Sequence, residues 1–122
     1  MRDLVEKYKD MLRDEWELLK AMREARRELA DIEDRVFGAV AEGRQVSKKD
    51  AQEYFKLIGG LYELVFGHVA LLDEQSALRG KMVVEEYEGR ADKSDLEEYH
   101  RVLGMWPWEV QRSETTNTEK GG

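Results

Sequence analysis

Glu97 and His100 stand three residues apart, an E-x-x-H spacing that puts a carboxylate and an imidazole on one face of a helix. Di-iron carboxylate bundles hold their metals with such pairs, but they need two of them and two further inward glutamates. This chain has one pair; Glu15 and either Glu85 or Glu86 are the remaining acids that could join it, and the set stays incomplete. A metal-binding helical protein or small enzyme built on Glu15, Glu97 and His100 is therefore the second reading of the sequence, and no cofactor or metal is expected.

Other chemistry finds less support. His68 lies in an apolar stretch, where a histidine is more often a packed, hydrogen-bonded residue than a ligand or base. Cysteine is absent, which removes disulfides, thiolate nucleophiles and Cys-based metal sites. Ser47, Ser76, Ser94 and Ser113 have no histidine and acid at a recognisable spacing. No phosphate-binding glycine loop occurs either. The expected protein is not an enzyme.

Composition narrows the partners. A formal charge of −7 sets the field of the whole molecule against phosphate backbones and anionic lipid. Arg23, Arg26, Arg27, Arg35, Arg44, Lys48 and Lys49 form a local basic bias, but Glu24, Glu28, Asp31, Glu33 and Asp34 interleave with it. Ordinary surface ion pairs along a helix account for that mixture. A nucleic-acid-associated regulator is the third reading. The start, Met1-Arg2-Asp3-Leu4, lacks a signal-peptide pattern, and no apolar run approaches the ~20 residues of a bilayer span. A cytoplasmic protein with no membrane partner is expected. Asn117 is the one asparagine among many ionic residues, a composition that resembles the drift of thermophile proteins.

The elements that must carry these residues are helices. The single proline is Pro107, so nothing before it forces a helix to end. Residues 48–59, KKDAQEYFKLIG, align without a gap on 93–104, KSDLEEYHRVLG, and Glu-Gly-Arg precedes each copy at Glu42-Gly43-Arg44 and Glu88-Gly89-Arg90. Each glycine ends one helix in a left-handed turn. Ser47 with Asp50, and Asp92 with Asp95, then cap the next, with Val46 and Ala91 placed as hydrophobic staples. Two similar helix starts explain the repeat more simply than a duplication. The prediction is an all-α fold: a long antiparallel, coiled-coil-like helical hairpin with a short third helix, in one domain over about 1–105. The helices span about 3–41, 47–87 and 92–104, and a Trp-Pro-Trp segment and flexible polar tail occupy 106–122.

Helix one carries a stripe spaced four and three: Leu4, Tyr8, Met11, Glu15, Leu18, Met22, Ala25, Leu29, Ile32, Val36 and Ala39. A tight loop folds helix two back along it, pairing residues whose numbers sum to roughly 89, such as Ile32 with Leu57. Glu15 and Gln75 fall near this seam as a register-fixing polar contact. A second row, Val5, Leu12, Trp16 and Leu19, calls for extra cover from Leu96, Tyr99, Val102 and Leu103 of helix three.

Helix two then has apolar surface to spare. Tyr54, Phe55, Tyr62, Phe66 and Val69, with Gly59 and Gly67 among them, exceed what a soluble monomer exposes, and predict a homodimer interface. Glycine inside a helix costs up to ~1 kcal/mol, a cost that close backbone approach would offset. Trp106 and Trp108 either cap the bundle or anchor a protein partner. Together these features predict a small, acidic, homodimeric protein that works by protein–protein interaction or assembly, as an adaptor, chaperone or inhibitor, with phage or archaeal accessory proteins among those of similar shape.

Overall fold

The computed structural model describes residues 1–110; the polar stretch Ser113–Gly122 lies outside the described residues. Three helices follow one another, α1 (Arg2–Ala41), α2 (Lys48–Tyr87) and α3 (Lys93–Leu103), and a last helical turn begins at Pro107. The two long helices pack against each other in an all-α hairpin bundle, with the short helices added to it. Among the described residues there is no strand. Each boundary falls within one residue of its sequence-based expectation. α2 runs unbroken through Gly59, Gly60, Gly67 and Gly80.

The two Glu-Gly-Arg copies are one device used twice. Gly43 and Gly89 adopt φ of 71° and 69°, the left-handed region that glycine enters without strain. At the first, Arg44 N–H donates to Ala39 O at 2.8 Å and Gly43 N–H to Val40 O at 3.1 Å. At the second, Arg90 N–H donates to Glu85 O and Gly89 N–H to Glu86 O, both at 3.1 Å. This nested pair is the Schellman motif, which satisfies carbonyls that a helix end would otherwise leave open. The next helix starts on a side-chain cap in both cases. Asp50 N–H donates to Ser47 Oγ at 3.1 Å, and Asp95 N–H to Asp92 Oδ1 at 2.9 Å. The cap holds the Asp92 carboxyl below its ordinary range, first through the Asp95 backbone N–H and then through Ser94.

The chain divides into two compact units, Leu18–His68 and Met1–Glu17 with the stretch from Val69 onward. In the second of these units, Val5, Tyr8 and Leu12 of α1 meet Leu78 and Met82 of α2, Tyr99 and Val102 of α3, and Val110. Leu96 and Leu103 pack on this cluster, so the expected cover from the third helix is in place. Pro107 and Val110 are buried as well. Proline suits this position because the first helical residue needs no N–H donor. Trp106 N–H donates to Glu109 Oε2 at 2.7 Å, and Glu109 N–H returns to Trp106 O at 3.0 Å.

A polar contact sits in the same unit. Gln75 Nε2 donates to Glu15 Oε1 at 2.9 Å, and both side chains are buried. Arg79 Nη1 donates to Tyr8 Oη at 3.3 Å. In the Leu18–His68 unit, Leu29, Ile32 and Val36 form the buried cluster, against which Val46, Tyr54, Leu57, Ile58 and Leu61 pack. Ile32 and Leu57 meet there, as the sum near 89 requires. Arg35 reaches across to Asp50 at 3.6 Å and Glu53 at 3.5 Å.

Candidate interaction surface

α2 has two unlike faces. Tyr54, Leu57, Leu61, Leu64, His68, Leu71, Gln75, Leu78 and Met82 are buried or half-buried. Phe55, Gly59, Tyr62, Phe66 and Val69 repeat four and three apart on the other side, and all are exposed. Phe55 and Phe66 each leave 69% of their surface open, Tyr62 60% and Val69 52%. A helix that is apolar on two opposite sides needs two partners, and α1 supplies one. Tyr62 and Phe66 stack at 6.4 Å between ring centroids, and Phe55 lies 5.7 Å from Tyr54.

Tyr54 itself is half-buried, packed on the Ile32 cluster and edge-on to Phe37 at 5.8 Å. Gly59 and Gly67 are exposed, and a Cβ added at either would meet nothing within 4 Å. Nothing in the chain therefore requires glycine there. Sequence reading stopped this face at Val69, but the same spacing continues through Asp73, Ser76, Gly80, Val83 and Tyr87, all exposed. The polar residues at 73 and 76 hid the continuation.

Beside Gly80 lies a shallow groove of about 500 Å³, lined by Leu4, Ala77, Gly80, Lys81, Val84, Glu85 and Arg90. Glu85 raises the Arg90 guanidinium, first through their hydrogen bond. α2 is also the one helix, among the described residues, long and apolar enough by composition to cross a membrane. Its 18-residue window averages a hydropathy of 1.5, with none of that window buried. Glu63 and His68 break the apolar run, which hid the span in the sequence, while the average stays high.

The other singled-out residues fall as follows. Trp106 and Trp108 stack in parallel, 5.3 Å apart at 2°, and Trp16 meets Trp108 edge-on at 6.4 Å. Both remain open, 61% and 44% exposed, although Pro107 between them is buried. Glu15, Glu97 and His100 are not brought together. Glu15 is buried against Gln75, Glu97 is exposed, and exposed His100 places Nε2 3.4 Å from Glu86 Oε1. Among the described residues no three His, Asp or Glu side chains converge as a metal would need. Of the basic residues, Arg26 pairs with Glu33, Arg27 with Glu24, Arg35 with Asp50 and Glu53, and Arg44 with Glu42.

An ionic cluster went unnoticed in the sequence because its members are far apart in the chain. Glu98 lies 2.6 Å from both Arg101 and Lys9, and Lys9 also reaches Glu6 at 3.2 Å. Arg101 above all, and then Lys9, hold the Glu98 carboxyl at about 2 where 4.5 is ordinary. The folded value lies below the unfolded one, so the stabilisation is complete above pH 4.5 and is lost as pH falls towards 2. Glu98→Gln is expected to cost no more than about 1 kcal/mol at neutral pH, because solvent screens a side chain one third exposed. The cost should shrink as pH falls through 2, and equal melting-temperature gaps at neutral pH and at pH 2 would refute the assignment.

Compared with models of known families, with curated proteins and with solved structures, the chain matches none.

Proposed function

We propose that the protein is a non-enzymatic interaction or assembly protein of the cytoplasm that acts as a homodimer through the outer face of α2. The observation that carries this reading is the row of open aromatic side chains, Phe55, Tyr62 and Phe66, on a helix whose other face is already packed. Apolar surface gathered in one row is costly to leave in water, and a second copy of the chain covers it. A bilayer is the poorer cover, because it would have to take in Glu63, which flanks the middle of the row. The dimer then presents acidic helical surface and the Trp106–Trp108 stack to a protein partner, in the manner of an adaptor, chaperone or inhibitor. Light scattering coupled to size exclusion tests the first step. A mass of twice 14.3 kDa is expected at tens of micromolar, and a single-chain mass would remove the reading.

A further inference from the structure

The outer face of α2 specifies how two copies meet, not only that they do. We propose that two α2 helices pair antiparallel about a two-fold axis that crosses the outer face between Val69 and Asp73, so that facing residues have numbers summing to 142; this rests on the homodimer reading above. In that register Phe55 faces Tyr87 of the second copy, Gly59 faces Val83, Tyr62 faces Gly80, Phe66 faces Ser76 and Val69 faces Asp73. Apart from the aromatic pair at each end and the central layer, each layer sets a large side chain against a small one. Close packing between helices demands that alternation.

Three observations select this register. The first is the seat for Tyr62. Its partner Gly80 adjoins the groove of about 500 Å³ walled by Leu4, Ala77 and Val84, and a Cβ at Gly80 would meet nothing in its own chain. The second is charge. Glu63 flanks the row and arrives beside Ala77 and Lys81 of the second copy, opposite in sign to Lys81, whereas shifting the antiparallel pair by about four turns, to a sum of 128, sets Glu63 against its own counterpart. Parallel pairing sets Asp73 against Asp73. The third is area. At 40–90% exposure, Phe55, Tyr62, Phe66, Val69, Leu72, Val83 and Tyr87 offer roughly 600 Å² per copy, or about 1,200 Å² in all, which reaches the lower limit of specific interfaces.

Because the chain has no cysteine, one introduced thiol gives one spin label per copy. Full-length Lys56→Cys and Glu74→Cys proteins are labelled separately and inter-copy distances read by pulsed dipolar spectroscopy. With a rise of ~1.5 Å per residue, the proposed register separates the two Lys56 sites by about 45 Å along the axis and the two Glu74 sites by about 9 Å. A short distance at both positions would mean parallel pairing and overturn the proposal. About 24 Å at Lys56 with about 30 Å at Glu74 would mean the register summing to 128 and overturn it as well. A single-chain mass with no inter-copy distance would instead remove the homodimer reading itself. As an independent arm, Gly80→Leu should weaken dimerisation at least tenfold by filling the seat of Tyr62. Gly60→Leu, equally open in the single chain but off the row, should leave it unchanged. Equal effects of the two substitutions, with helicity intact by circular dichroism, would overturn the register.

Discussion

Met82→Ala should lower the melting temperature by roughly 10–20 °C, reflecting the ~2–5 kcal/mol that truncating a fully buried methionine costs. Met82 has no exposed surface and belongs to the cluster where α1, α2, α3 and Val110 converge, so several elements lose contacts at once. Ile32→Ala removes an equally buried side chain from the Leu29–Val36 cluster and should cost a similar amount. The comparison carries more information than either value. If α1 and α2, each continuous through both units, make unfolding one cooperative event, both variants shift a single transition without splitting it. A biphasic melt in either variant would show that the units unfold separately. Val40→Ala, at a position 62% exposed, serves as the control and should move the midpoint by no more than the ~0.5 kcal/mol usual for surface changes.

Gln75→Leu is the second large effect, expected to cost about 2–4 kcal/mol although leucine is the more apolar residue. Gln75 is 2% exposed and donates to the buried Glu15 carboxylate at 2.9 Å. A hydrogen bond to a charged group contributes about 1.5–3 kcal/mol, and removing the donor weakens the solvation of a carboxylate already taken out of water. The double variant Glu15→Leu/Gln75→Leu should recover much of the loss, because no charge is then left in the apolar seam. A cycle of urea denaturations measures the coupling between the two positions. If the double variant proves less stable than Gln75→Leu alone, this energetic account of the Glu15–Gln75 contact fails.

The helical layout was legible because its signals are local and strong. Glycine at 43 and 89, followed at once by arginine and then by Ser47 or Asp92, encodes stop and start within a few residues, and the backbone obeys. The α1 seam was legible too, since a four–three spacing of apolar residues has one packing solution once a short turn fixes the register. What escaped the sequence depends on chain segments meeting. Lys9, Glu98 and Arg101 look like unrelated surface charges until α3 folds beside α1. Val110, just past the Trp-Pro-Trp segment, read as part of the tail, yet it closes the core beside Tyr8 and Met82. For the candidate surface, the aromatic half of the row was visible and its continuation to Tyr87 was not, because Asp73 and Ser76 interrupt the hydrophobic pattern without interrupting the geometry. The E-x-x-H pair shows the opposite limit. Spacing places two ligands on one face of a helix but cannot say whether that face looks inward, and here Glu97 and His100 look out.

The link between the first two helices is only Arg44, Gln45 and Val46, held between the Gly43 turn and the Ser47 cap. With both ends tied to backbone hydrogen bonds, the link has little slack. It acts as a phase setting for everything downstream. One residue gained or lost there rotates α2 by about 100° about its own axis unless the cap gives way. The aromatic row would then turn away from its present outward direction, and another face would be offered to the outside. Changes of length at this one place can thus redirect what the protein shows to its surroundings without altering a single side chain of the helix that shows it.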